Sequence, residues 1–411
     1  MYQRALAGYE KALGPDHAST LDSVNNLGIL YSDKGKLKEV EEMYQRALAG
    51  REKALGPDHT STLDSVHCLG ILYSDQGKLK EAEEMYQRAL AGYEKALGPD
   101  HASTLDLVNN LGNLYRNQGK LKEAEEMYQR ALAGREKALG PDHTSTLDSV
   151  HCLGILYKDQ GKLKEAEEMY QRALAGYEKA LGPDHASTLN TVNNLGNLYR
   201  DQGKLKEAEE MYQRALAGYE KALGPDHTST LITVSNLGLL YKDQGKLKEA
   251  EEMYQRALAG YEKALGPDHT STLNTFNNLG NLYTDQGKLK EAEEMYQRAL
   301  AGREKALGPD HTSTLDSVHC LGILYRDQGK LKEAEEMYQR ALAGYEKALG
   351  PDHASTLDSV NNLGLLYSDQ GKLKEAEEMY QRALPNNEKV AHLNASTARR
   401  AIKKFARLFK Q

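Results

Sequence analysis

Residues 43–84 read MYQRALAGREKALGPDHTSTLDSVHCLGILYSDQGKLKEAEE, and near-copies begin at positions 1, 43, 85, 127, 169, 211, 253, 295 and 337, with a partial one at 379. A 42-residue unit cannot bury its apolar face alone but can bury it against its neighbours. The period therefore predicts an open stack of about nine units with its function on the surface. Unit positions are counted below from each methionine.

Charged residues make up 27% of the chain and hydrophobic ones 39%, the balance of a folded, water-exposed protein rather than a disordered one. The net charge of −7 is spread over the copies, which makes general nucleic-acid binding unfavourable. No run of 18 apolar residues and no basic-then-apolar leader occurs, so the expected location is cytoplasmic, without membrane insertion. Cys68, Cys152 and Cys320 occupy one unit position in copies at least two units apart. Stacked helices lie roughly 8–10 Å apart, so these thiols exceed the separation of about 7 Å that a disulfide tolerates. They are read as reduced.

Within a unit, Leu21, Val24, Leu27, Gly28 and Tyr31 fall on one side of a helix, called A. Gly14, Pro15 and Asp16 precede it, and Asp16 is expected to supply the N-cap. Leu79, Ala82, Tyr86, Ala89, Leu90 and Ala96 form the stripe of a second helix, B, stopped by Gly77 before it and Gly98 after it. Gly70, Ala82 and Ala89 let the two helices approach closely.

The order and spacing of Leu69, Gly70, Tyr73, Ala82, Tyr86 and Ala89 resemble the tetratricopeptide repeat. The longer unit, with LGPDH before helix A and NNLG inside it, is similar to the repeats of kinesin light chains. The resemblance covers about residues 1–384 and implies an all-α fold, a right-handed α-α superhelix of helix-turn-helix repeats. Residues 385–411 change character. Arg399, Arg400, Lys403, Lys404, Arg407 and Lys410 lie opposite Ala398, Ile402, Phe405, Ala406 and Phe409, the pattern of a basic amphipathic C-terminal cap helix. An anionic membrane surface, a calmodulin-type partner or a nuclear address are its other readings. The chain begins inside helix B, which is the expectation for a missing upstream region.

The copies differ from one another on helix A, chiefly at unit positions 22, 25, 26, 29, 32 and 33, while helix B barely changes. At 100° per residue these positions share an arc of about 120°. The family resemblance implies that this face lines a concave groove for extended peptides. Asn26, Asn110, Asn194, Asn236, Asn278 and Asn362 stand at unit position 26, where some peptide-binding relatives carry an asparagine ladder. An Asn amide accepts from a peptide N–H and donates to its C=O. At about 0.5–1.5 kcal/mol net per bond, the ladder only offsets the roughly 1–2 kcal/mol per residue lost in fixing a peptide. Neighbouring positions must supply affinity: Asn113, Asn197 and Asn281 at position 29, and Arg116, Lys158, Arg200, Lys242 and Arg326 at position 32. These cations either favour acidic ligand side chains or answer the helix dipole.

In three copies the Asn-Asn pair becomes His67-Cys68, His151-Cys152 and His319-Cys320, and the same copies carry Arg51, Arg135 and Arg303 at position 9. Either a second variant was duplicated whole or the arginine touches the His-Cys pair. Adjacent helical residues diverge by about 100° and cannot share a metal ion. The nine GPDH motifs are read as structural, and no phosphate loop, nucleophile elbow or zinc signature occurs. The expectation is a non-enzymatic protein-interaction scaffold without cofactor, binding extended, acidic protein or peptide segments. Its rivals are a kinesin light chain-like cargo adaptor, joined to a motor through an upstream region, and the repeat sensor of a larger signalling, innate-immunity-like receptor.

Overall fold

The computed structural model describes residues 2–32 and 37–387. They form nineteen α-helices and, among the described residues, no strand. Helices alternate in kind: A helices of 16 residues, such as Thr60–Asp75, and B helices of 19, such as Leu79–Leu97. The chain divides into two compact units, Met1–Lys204 and Leu205–Gln411, each a solenoid of consecutive A–B pairs. The first described helix, Tyr2–Leu13, is of the B kind, and the last, Leu373–Asn387, contains Pro385. The tail from residue 388, where the basic cap helix was expected, lies outside the described residues.

Two glycines per pair decide how closely the helices meet. A Cβ on Gly70 would stand 2.6 Å from the ring of Tyr86, and one on Gly92 would stand 2.5 Å from Leu63. Neither distance is available to a real Cβ, so each A helix lies against bare backbone of its B partner and the reverse. Around these contacts Leu63, Val66, Ala82, Tyr86, Ala89 and Tyr93 pack into one buried cluster that continues into Leu107, Leu111 and Leu114 of the next A helix. In the second unit the same layer is built by Leu315, Val318, Ala341 and Tyr345. Fully burying one such Leu or Val contributes about 1.5–3 kcal/mol, and half of the contacts come from the neighbouring repeat. A lone repeat therefore lacks the burial to offset its chain entropy.

The turn before helix A differs from expectation. His59, not the aspartate before it, is the N-cap residue, with φ −69° and ψ 139°, and its Nδ1 accepts from Ser61 N–H at 3.2 Å. The same 3.2 Å bond recurs at His17, His101, His143 and His185 in the first unit and at His227, His269, His311 and His353 in the second. The aspartate is used between repeats: Lys95 donates to Asp58 at 2.8 Å and Lys347 to Asp310 at 2.6 Å. The buried Thr62 hydroxyl closes the turn by donating to Gly56 O at 2.8 Å. Gly98 ends its B helix at φ 92°, a region that L side chains rarely adopt.

Candidate functional site

The variable positions of helix A meet the next A helix and the B helix that follows. In the first unit His67 Nε2 lies 2.9 Å from Asn110 Nδ2, and His151 Nε2 lies 3.0 Å from Asn194 Nδ2; in the second, His319 Nε2 lies 2.9 Å from Asn362 Nδ2. Three of the six ladder asparagines thus bridge to a histidine of the preceding repeat. The proton positions follow from the neighbours. Thr191 spends its hydroxyl hydrogen on Ser187 O, so it accepts from His151 Nδ1–H at 3.0 Å, which leaves Nε2 to accept from Asn194. Both ring nitrogens of a neutral imidazole are then satisfied. Burial pushes His151 down to about 4 and lowers His67 and His319 as well.

Asn26 is exposed, while Asn236 and Asn278 are half-buried. At position 29, Asn113 Oδ1 accepts from buried Tyr128 at 2.6 Å and Asn281 Oδ1 from Tyr296 at 2.6 Å. Asn197 Nδ2 donates to Asn194 Oδ1 at 3.5 Å. These amides serve the core tyrosines as well as the surface. The cations of position 32 are paired with aspartates: Arg116 with Asp159 at 3.2 Å, Lys158 with Asp201 at 3.0 Å, and Lys242 with Asp285 at 3.1 Å, each from the following repeat. Arg200 and Arg326 lie 3.1 and 3.2 Å from Asp201 and Asp327 beside them.

The arginines at position 9 hydrogen-bond neither histidine nor cysteine. Arg51, almost fully buried, donates to Asp22 of the preceding repeat at 2.5 Å, and to Ser61 O at 2.9 Å and Ser65 Oγ at 2.8 Å of its own. Arg135 repeats this with Asp106, Ser145 O and Ser149 Oγ. Where position 9 is tyrosine, its hydroxyl replaces the guanidinium, as Tyr345 donates to Asp316 at 2.5 Å. Position 22 is thus the partner of position 9, a pairing across 29 residues. Nothing in the sequence signalled it, since position 22 is Asp opposite Arg51, Arg135 and Tyr345 alike and Asn opposite Arg303.

Two clefts open on this face at equivalent junctions. One, about 130 Å³, lies in the first unit between Asp148, His151, Cys152, Tyr177, Ser187 and Asn190. The other, about 180 Å³, lies in the second between Asp316, His319, Cys320, Tyr345, Ser355 and Asp358. Burial raises the Cys152 thiol and pushes Cys320 up to about 11, so both are poor nucleophiles. No group of three His, Cys, Asp or Glu side chains converges on one point among the described residues. None of the described helices is long and apolar enough to cross a membrane.

Paired helices of fixed length, locked by small residues and stacked in sequence, define an α-helical repeat protein. The tetratricopeptide repeat model matches residues 1–53, 35–95, 59–137, 102–179, 147–221, 186–263, 229–305, 271–347 and 312–389, and the chain belongs to that family. No curated protein matches it. Among solved structures it is similar to a putative kinesin light chain of nearly identical TPR-like repeats from Podosopora anserina, at 30% identity over 50% of this chain and 98% of that one, TM-score 0.44. It is also similar to the apo form of the quorum sensor NprR from B. thuringiensis, at 16% identity over 92% and 99%, TM-score 0.59. A third is a signal transduction ATPase with a tetratricopeptide repeat sensor from Pyrococcus horikoshii, at 13% identity over 85% and 53%, TM-score 0.56. The last two, at such identities, show the fold alone.

Proposed function

We propose that the protein is a non-enzymatic interaction scaffold that holds extended segments of other proteins along the A-helix face of each unit. One observation carries the reading: the copies keep helix B nearly constant and change helix A on the arc that holds positions 22 to 33. Drift alone would mark the equally exposed face of helix B as strongly. The amides on the variable face suit a backbone ligand. Asn26 and Asn278 have no side-chain hydrogen bond among the described residues, and Asn110 and Asn362 spend an N–H on histidine but keep Oδ1 as acceptor. The acidic preference expected from position 32 rests on cations that are already paired with Asp159, Asp201 and Asp285, and it loses its carrier there. A peptide-array screen with the purified chain, repeated with Asn26→Ala and Asn278→Ala together, tests the assignment. Loss of captured peptides supports it, and an unaltered pattern rejects the A-helix face.

A further inference from the structure

Six aspartates stand at unit position 22, and the chain neutralises two of them itself, Asp22 with Arg51 and Asp106 with Arg135. The other four form no ion pair among the described residues, although Arg303 acts on Asp316 from a distance. Asp64, Asp148 and Asp316 take a phenol hydroxyl, from Tyr93, Tyr177 and Tyr345. Asp358 has neither a hydrogen bond nor an ion pair among the described residues. Three of these four belong to the repeats that carry His-Cys, so a position-22 carboxylate held by a phenol rather than an ion pair is a property of those repeats.

We infer that the clefts beside His151-Cys152 and His319-Cys320 receive the ammonium or guanidinium groups of a partner, so that the ligand of the A-helix face is a basic extended segment. This rests on the scaffold reading above and fixes the chemistry of its ligand. The chain contains its own precedent. Arg135 seats its guanidinium against the position-22 carboxylate of Asp106, with Ser145 O and Ser149 Oγ as further acceptors. The cleft in the second unit offers the same kinds of acceptor at its rim, Asp316 and Asp358 at position 22 and Ser355 at position 19.

Its volume of about 180 Å³ is many times the roughly 10–15 Å³ that one water needs, enough for the end of a lysine or arginine side chain. No cation lines the wall, and the guanidinium of Arg303, which acts on Asp316, Cys320 and Tyr345 from behind it, is hydrogen-bonded to Asn274, Ser313 and Ser317 instead. His319 is kept neutral, donating from Nδ1 to Ser359 at 3.1 Å and accepting from Asn362 at 2.9 Å. The surrounding protein pushes the carboxyl of Asp358 up, a cost that an incoming cation relieves. An acidic segment meets the opposite field, because the cations of position 32 are spent on aspartates.

The two clefts differ in a way that sharpens the test. The second unit presents two carboxylates, while the first has Asp148 opposite the neutral Asn190. Short fluorescein-labelled peptides on a Gly/Ser backbone, carrying regularly spaced Lys, Glu or Ser, are titrated with the full chain at low salt and followed by anisotropy. The Lys peptide is expected to bind tightest. Asp316→Asn with Asp358→Asn weakens it by on the order of tenfold, at up to about fivefold per exposed ion pair, and Asn still accepts from Tyr345. Glu165→Gln with Glu333→Gln, which removes the same charge from exposed B-helix surface, leaves it unaltered. Asn190→Asp strengthens it.

Equal weakening by the two double variants overturns the inference, since the attraction is then only the overall charge. A Glu peptide that binds best also overturns it and leaves the scaffold reading standing. If none of the three peptides binds, both fail.

Discussion

Replacing Asn274 by aspartate tests how much a buried arginine gains from a charged partner, because the chain already contains both arrangements. Arg303 is 4% exposed, and every acceptor on it is neutral: Asn274 Oδ1 at 2.5 Å, Ser313 O at 2.6 Å and Ser317 Oγ at 2.8 Å. Burial pulls its guanidinium below the ordinary arginine value, opposed by the more distant Asp316. Its counterparts Arg51 and Arg135 have Asp22 and Asp106 at the equivalent position. Two unit charges about 4 Å apart attract by roughly 1 kcal/mol in water and about 4 kcal/mol at an effective dielectric of 20. The carboxylates of Asp22 and Asp106 are 61% and 57% exposed, which places the pair towards the watery limit. Asn274→Asp is therefore expected to stabilise its junction by about 1 kcal/mol. Repeat arrays open locally, so the assay is native-state hydrogen exchange of Leu289–Leu307 and Thr312–Asp327 rather than a single melting curve. Exchange should slow about fivefold, and Asp106→Asn should speed it by a similar factor in Leu121–Leu139. If both substitutions leave exchange unchanged, the charge of position 22 contributes nothing to the stack and the reasoning fails.

Gly112→Ala would place a methyl 2.7 Å from the ring of Tyr128, and overpacking of this kind costs about 1–3 kcal/mol; urea unfolding of a truncated array should detect it, and an unchanged midpoint would mean that the ring yields freely. His151 should make stability fall on the acid side. Its value drops from 6.5 unfolded to about 4 folded, so the folded state binds fewer protons between these limits. Its contribution is complete above pH 6.5 and is lost as pH falls towards 4, by about 3 kcal/mol at most. His151→Gln should flatten that part of the stability–pH curve, and a curve that keeps its slope would show that the buried imidazole is not its cause.

The helix pairs were legible because the repeat announces itself and because glycines mark each turn. Gly70 and Ala82 were correctly read as spacers, whereas Gly92, which meets Leu63 just as closely, carried no signal beyond its recurrence. The choice of His59 over Asp58 as cap was not legible, since both side chains can accept from an N–H and only the backbone angles at the turn select one. The face that varies was identified from the copies themselves. What its side chains touch was not, because Asn110 with His67, Lys158 with Asp201, and Arg51 with Asp22 are each contacts between repeats. A period of one unit describes what recurs within each copy and is blind to which neighbour a side chain reaches. For the same reason the sequence left two readings open for the cations of position 32: Arg116, Lys158 and Lys242 find their aspartates one repeat further on.

The uniform B-helix junctions have a consequence for how the chain can change in size. Arg88 reaches Glu52 at 2.5 Å, Arg172 reaches Glu136 at 2.5 Å and Arg340 reaches Glu304 at 2.6 Å, so these seams are sewn with the same stitch. Excising residues 127–168 would join Glu126 to Met169 and bring Arg172 opposite Glu94, the residue that Arg130 holds now. Length is then a quantity that heredity can add to or subtract from in whole steps, with no seam left raw.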